Sequence, residues 1–208
     1  MTNIPPISEE DRPGTAQSKP ELRQRLRSAR RTREITAPGP LGDLLASVVD
    51  TLPEVRAAGT LAAFVSRPDE PATDVLLTRW RAHGRRVLLP VVLADLDLDW
   101  ALDDGDLRPG GVVRVPEPGG ARLGVDAIAR ADVVLVPALA VDRRGVRLGQ
   151  GGGSYDRALA RVRPDALLVA LLHPGELLEQ PLPAEAHDHP VHVVATVEGV
   201  VRLATSAG

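Results

Sequence analysis

The apolar positions of this chain fall into two alternating rhythms, one of about three to four residues and one of two. Leu22, Leu26 and Ala29 recur at helical spacing and predict a helix over 19–33, with Pro20 in the first turn, where its missing N–H costs little. Leu41, Leu44, Leu45, Val48, Val49 and Leu52 predict a second amphipathic helix. Gly59 then punctuates, and 60–65 reads as a strand. Thr73 starts a helix to about His83, Gly84 ends it, and 86–90 is a short apolar strand. The run ADLDLDWALDD alternates acid and apolar residues, as an exposed strand does, and the segment after it is loop-rich. A helical turn at 127–131 precedes a buried strand at 133–136, and further strands are expected at 166–172, 191–197 and 200–203. Short strands alternating with helices predict an α/β fold: a single-domain, three-layer sandwich over 19–208, with a mainly parallel sheet flanked by helices. Residues 1–18 are polar, contain several prolines and show no periodicity, so they read as a disordered lead-in.

One stretch, 133–161, breaks both rhythms. The strand Val133-Val134-Leu135-Val136 ends at Pro137, passes a charged turn at Asp142-Arg143-Arg144-Gly145, and reaches Arg147-Leu148-Gly149-Gln150-Gly151-Gly152-Gly153. Ser154-Tyr155-Asp156 then opens a helix expected over 156–162. Glycines let backbone N–H groups approach an anion, and a helix start adds partial positive charge. Arg147 suits phosphate oxygens and Asp156 suits a metal ion. The spacing is neither that of a Walker A loop nor that of a dinucleotide fingerprint, so on glycine content alone a flexible turn is an equal reading.

Two other segments carry chemistry. In LPAEAHDHPVH, the residues His187, His189 and His192 suit a zinc site, a polar turn is the plainer reading, and a better use is Asp188 beside Asp156 on magnesium. In SRPDEPATD, Ser66, Glu70 and Thr73 follow a strand and precede a helix, which suits either a helix cap or a carboxylate at a ligand.

Composition narrows the function classes. The net charge of -3 argues against general nucleic-acid binding. The absence of cysteine excludes disulfides and cysteine–zinc sites. No run of about 18 apolar residues occurs, so no membrane span is expected, and the opening residues show no secretory signal. A cytoplasmic location follows by default. Of 25 basic residues only Lys19 is a lysine. The first helix also carries Arg23, Arg25, Arg27, Arg30, Arg31 and Arg33, which read mostly as a solvated arginine face.

In combination these residues resemble the 5-formyltetrahydrofolate cyclo-ligase family, also called methenyltetrahydrofolate synthetases. The resemblance rests most on Pro137-Ala138-Leu139-Ala140-Val141-Asp142, Gly145 and the run from Arg147 to Arg157. It extends to Lys19-Pro20-Glu21-Leu22-Arg23, to the spacing of Ser66, Glu70 and Thr73, to the elements 84–90 and 183–188, and to Glu117-Pro118. It implies an enzyme, a ligase of one-carbon metabolism that uses ATP and Mg2+ to close 5-formyltetrahydrofolate to 5,10-methenyltetrahydrofolate. It further implies that Lys19, Arg23 and Arg147 hold ATP phosphates, and that Leu148, Gly149, Gln150, Gly151, Gly152, Gly153, Ser154 and Tyr155 wrap them. Asp156 and Asp188 would hold the metal, and Glu70, Ser66 and Tyr155 would meet the reduced folate. Arg147 and Tyr155 are then the candidate catalytic side chains, in a monomer whose partners are small molecules, with no nucleic acid and no membrane.

Three positions and one segment depart from the family pattern. Val141 stands for a phenylalanine, Ser154 for the first tyrosine of Tyr-Tyr-Asp and His192 for an aspartate, and His173-Pro174-Gly175-Glu176 replaces a glutamine-bearing segment. The first two changes are expected to remove rings near a flat substrate, at about 0.5–1.5 kcal/mol of stacking each. They leave open a paralogue that activates another small carbonyl compound. A non-catalytic folate-binding module is the other alternative.

Overall fold

A computed structural model describes residues 18–32, 38–185 and 188–204. Residues 1–17 of the expected lead-in over 1–18, Arg33 and His187 lie outside the described residues. The helices are α1 (Lys19–Thr32), α2 (Pro38–Val49), α3 (Pro53–Ala57), α4 (Asp74–Ala82) and α5 (Ser154–Leu159). The strands are β1 (Thr60–Ala62), β2 (Arg86–Val92), β3 (Leu98–Leu102), β4 (Leu107–Arg108), β5 (Glu117–Pro118) and β6 (Val133–Pro137). They continue with β7 (Ala140–Asp142), β8 (Arg147–Leu148), β9 (Leu167–Leu171), β10 (Leu177–Leu178), β11 (Val193–Thr196) and β12 (Gly199–Arg202). A tight helical turn, Val125–Arg130, precedes β6.

The central sheet has seven strands in the order β12-β11-β9-β6-β1-β2-β3. Its inner strands run parallel, and β3 and β12 are added antiparallel at the two edges. Side chains alternate across each strand, so the two faces build two cores. Leu61, Leu89, Leu135, Leu171 and Val193 face α2, α3 and α4, and pack on Leu45, Val49, Leu76 and Trp80. Ala62, Leu88, Val134, Val136, Ala170 and Val194 face the other way, toward α5, the 125–130 turn and Trp100. Helices on both faces of a mainly parallel sheet are the expected three-layer arrangement.

The run expected to be an exposed strand is the edge strand β3, yet Leu98 and Trp100 are buried. It returns from β2 by a tight turn, and its apolar face closes the second core. Strand β2 runs through Pro90, past the end of its pairing with β1 at Leu88, so the ladder on that side loses no donor there. The short helix α3 and strand β10 have no counterpart in the periodicity.

The larger departure is a second sheet. Strands β10, β7 and β8 form it, with β7 and β8 joined by the charged turn. Asp142 organises that turn from inside: its buried carboxylate accepts the backbone N–H of Arg144, Val146 and Leu182. Gly145 has φ +84, and a Cβ there would lie 2.4 Å from the Val191 carbonyl oxygen, so no side chain fits. Helix α1 covers this small sheet rather than the central one, through Leu22, Leu26, Leu139 and Leu148.

Candidate functional site

A cavity of about 490 Å³ opens where β1, β2 and β6 end, at the carboxyl edge of the sheet. Ligands collect there in parallel α/β folds because successive loops diverge at that edge. One wall is apolar, built by Phe64, Val92, Leu98 and Val115; the other carries the Gly149–Gly153 loop, Lys19 and Arg23.

Helix α1 grips the loop by its carbonyls. Arg23 Nε donates to the Gly149 carbonyl at 3.0 Å, and Arg27 Nη2 donates to the Gln150 carbonyl at 2.7 Å. Among the described residues, no backbone N–H from Gly149 to Gly153 has a hydrogen-bond partner. The carbonyls of Gly149, Gln150 and Gly153 are taken while the N–H donors are left for a ligand, which is the polarity an anion needs. Gly151 and Gly153 have φ +100 and +70, the left-handed region that lets the chain turn tightly here. Helix α5 has only 6 residues, so its dipole adds less than the sequence suggests.

Arg147, on β8, is buried, with Nη2 paired to Asp156 and its guanidinium carbon 5.9 Å from the Tyr155 ring centre. Burial pushes its pKa down and Asp156 opposes that; an arginine keeps its charge regardless. Its Nε is buried and has no partner among the described residues. The Tyr155 hydroxyl is likewise buried and unpaired. Burial first, then the charge of Glu70, raise the phenol far above its ordinary pKa, against the opposing charge of Arg147. Tyr155 is therefore a donor and not a base.

Lys19 Nζ lies 2.8 Å from Glu185 and 3.3 Å from Asp188. Burial alone would lower its pKa, but the hydrogen bond to Glu185 and the charge of Asp188 outweigh burial and raise it. Glu70 is buried at the cavity wall, and its two oxygens accept the Arg67 N–H at 3.0 Å and Arg67 Nη2 at 3.2 Å. A carboxylate has about four acceptor sites, so capacity remains for a ligand donor.

The cavity thus brings together Lys19, Arg23, Arg147, Leu148, the glycine loop, Ser154, Tyr155, Asp156, Glu70 and Asp188. Ser66 is not brought there. Its hydroxyl accepts the Thr73 N–H at 3.1 Å while Thr73 Oγ accepts the Ser66 N–H at 3.0 Å; the pair ties the loop ahead of α4, and Thr73, at the helix start, makes no side-chain cap to it. Val141 is also absent from the cavity: it is buried in the core of the second face, so its exchange for a phenylalanine does not touch a ligand. Of the two lost rings, only the Ser154 position lines the cavity. His192 Nδ1 accepts the Leu168 N–H at 3.0 Å, which removes it from any metal site with its neighbours. The arginine face is corrected in part: Arg30 is buried, and Arg27 is turned onto the loop.

Three charged cavity residues, Arg67, Glu117 and Glu185, received no site role from the sequence. Glu117 is buried, accepts the Val92 N–H at 3.0 Å and shares the cavity with Arg67 and Glu185. An acid beside proline in a loop without periodicity offered no signal of burial.

Asp156 and Asp188 present hard oxygen donors beside the loop, each already held by a cationic side chain. Two carboxylates with room for phosphate oxygens and water fit a magnesium ion. No trio of His, Asp or Glu suited to a metal occurs among the described residues. No helix among them is long and apolar enough to cross a membrane.

The sequence pattern of the 5-formyltetrahydrofolate cyclo-ligase family matches residues 15–197. A 5-formyltetrahydrofolate cyclo-ligase of Mycolicibacterium smegmatis is 42% identical over 154 residues, covering 69% of this chain and 77% of that one. The Escherichia coli K12 cyclo-ligase is 33% identical over 172 residues, covering 75% and 87%. The solved structure of Aquifex aeolicus 5,10-methenyltetrahydrofolate synthetase is similar with a TM-score of 0.76 at 27% identity, over 91% of this chain and 95% of that one. A synthetase from Mycoplasma pneumoniae, at 16% identity and a TM-score of 0.68, shares the fold over 87% and 99%.

Proposed function

The chain belongs to the 5-formyltetrahydrofolate cyclo-ligase family, and on that premise we propose that it is an ATP- and magnesium-dependent ligase. It closes 5-formyltetrahydrofolate to 5,10-methenyltetrahydrofolate and releases ADP and phosphate. The observation that carries this reading is the pairing, in one cavity, of a row of unpartnered loop N–H donors with Lys19, Arg23 and Arg147 and with the carboxylates Asp156 and Asp188. A site that only stored a folate would need neither set.

The chemical difficulty is that a formamide oxygen is a poor leaving group. In the proposed reaction that oxygen attacks the γ-phosphorus, the bond to ADP breaks, and an iminium phosphate forms. The neighbouring folate nitrogen adds to the activated carbon, the C–O bond breaks, phosphate leaves with the electron pair, and the nitrogen gives up its proton. Positioning and charge neutralisation supply most of the catalysis. Lys19, Arg23 and the loop N–H groups hold the phosphates. Arg147 neutralises charge as it develops on the transferred group. Asp156 and Asp188 would hold magnesium, which would supply positive charge against the phosphates. Glu70 accepts from ring N–H donors of the folate, and the apolar wall takes its flat face. Tyr155, kept protonated, donates a hydrogen bond into the cavity. Free reduced folate and ATP as substrates suit a cytoplasmic setting.

The test incubates the pure protein with magnesium-ATP and 5-formyltetrahydrofolate and follows the product by its near-ultraviolet absorbance. An ATP-dependent rise is expected. No rise at generous enzyme concentration would sink the proposal. Ser154 favours one narrower rival, a paralogue acting on another carbonyl compound; calorimetry that finds ATP binding without reduced-folate binding would select it.

A further inference from the structure

The mechanism leaves unused an ion pair with both members buried. Arg30, on α1, and Glu176, before β10, form an ion pair whose side chains are 1% and 5% exposed. The fork is bidentate: Arg30 Nε lies 2.9 Å from Glu176 Oε1, and Nη2 lies 2.7 Å from Oε2. Nη2 also donates to the Ala138 carbonyl at 2.6 Å, just beyond β6. The same Oε2 accepts the His173 N–H at 2.9 Å, and His173 Nε2 sits 3.2 Å from the Asp69 carbonyl, where it donates in its Nε2–H tautomer. Asp69 is the residue before Glu70.

We propose that Glu176 is a positioning residue that fixes the separation between the two ends of the active site. Through Arg30 it holds α1, and with it Lys19 and Arg23. Through His173 it holds the turn that carries Glu70. The inference rests on the assignment of Lys19 and Arg23 to the triphosphate and of Glu70 to the folate.

Three observations support it. First, α1 is thinly anchored: Leu22 and Arg30 are its buried residues, and the rest of its hold comes from Leu26, from polar contacts to the loop and from the Lys19 contacts to Glu185 and Asp188. Arg30 lies about three turns along α1 from Lys19, so a helix fixed at both ends delivers Lys19 at a set height. Second, a buried ion pair is no more stabilising than apolar residues of the same volume, so its selection points to geometry. Third, the guanidinium fork fixes direction as well as distance, which an apolar contact does not.

The test is steady-state kinetics on the full chain with magnesium-ATP and 5-formyltetrahydrofolate, with thermal melts alongside. Arg30→Met is expected to raise the KM for ATP roughly tenfold, as small misplacements do, and to leave the folate KM within about twofold. His173→Ala is expected to do the reverse. Glu176→Gln is expected to raise both and to lower kcat, and Arg30→Lys to restore the ATP KM only in part. Variants that lower the melting temperature while both KM values stay within about twofold would overturn the proposal. So would one common change of both constants in all variants. If Glu176→Gln does not fold, the pair Arg30→Met/Glu176→Leu removes both buried charges together. An ATP KM still raised in that pair supports the proposal, and a normal one overturns it. Lys19→Ala and Glu70→Gln serve as references. If Lys19→Ala leaves the ATP KM unchanged, the site reading itself falls. If Lys19→Ala raises it and Arg30→Met does not, the positioning role alone is overturned.

Discussion

Arg147 holds a buried charge against Asp156, so the carboxylate that fits the metal also has a structural task. Asp156→Asn should therefore show two effects. Removing a partner from a mostly buried cation should lower stability by roughly 1–2 kcal/mol, discounted for the partial exposure of Asp156. The loss of the proposed anionic metal ligand should raise the magnesium concentration for half-maximal activity by about tenfold or more. Urea melts and magnesium titrations read the two separately; an unchanged magnesium requirement would remove Asp156 from the metal site. At this scale the sequence was legible where a residue type is rare or its motif dense. The single lysine and the Arg147–Asp156 bracket all reach the cavity. It was less legible where one side chain has two uses. Arg30 was read with the solvated arginines, yet it stands four residues after Leu26 and eight after Leu22, on the face that packs inward. Ser66 is taken by reciprocal hydrogen bonds with Thr73, an outcome that spacing alone did not distinguish from ligand binding.

The strand run between Pro190 and β11 contains a titratable group in a fixed role. His192 Nδ1 accepts a backbone N–H from Leu168, at the entry to β9, and burial lowers its pKa below the ordinary 6.5. The unfolded chain takes up a proton near that value, and the folded chain resists it until lower pH. Stability should thus be unaffected above about pH 7 and should fall as pH drops below about 6.5, levelling off below the folded pKa. Asparagine offers a carbonyl oxygen in place of Nδ1, so His192→Asn should flatten that part of the profile. Chemical denaturation at several pH values checks it, and an equal slope in both proteins would count against the assignment. Elements were legible in proportion to their burial. The inner strands read as continuous apolar runs because both faces are covered. The sheet of β10, β7 and β8 did not, because strands of two or three residues around a charged turn carry no period. Their pairing is fixed by Asp142 and Gly145, through contacts that lie far apart in sequence.

Over the whole molecule, the site draws on both ends of the chain: Lys19 meets Glu185 and Asp188 across 166 and 169 positions. The layer order was predictable from the alternation of strands and helices, whereas the placement of α1 on the small sheet was not, since a helix with few apolar residues fits several surfaces. That placement has a dynamic consequence. With its carbonyls tethered by Arg23 and Arg27, the glycine loop keeps its peptide planes oriented before any anion arrives. Its amide protons, lacking acceptors, should exchange with deuterated solvent almost as fast as those of an open chain, although the loop is held in place. Magnesium-ATP should slow exchange in 149–153 first, ahead of any change in the strands beneath. Slow exchange in the free protein, or no change on adding nucleotide, would contradict this. A segment can be conformationally settled and still look unstructured to solvent, and here the fast-exchanging amides would mark the seat of the triphosphate.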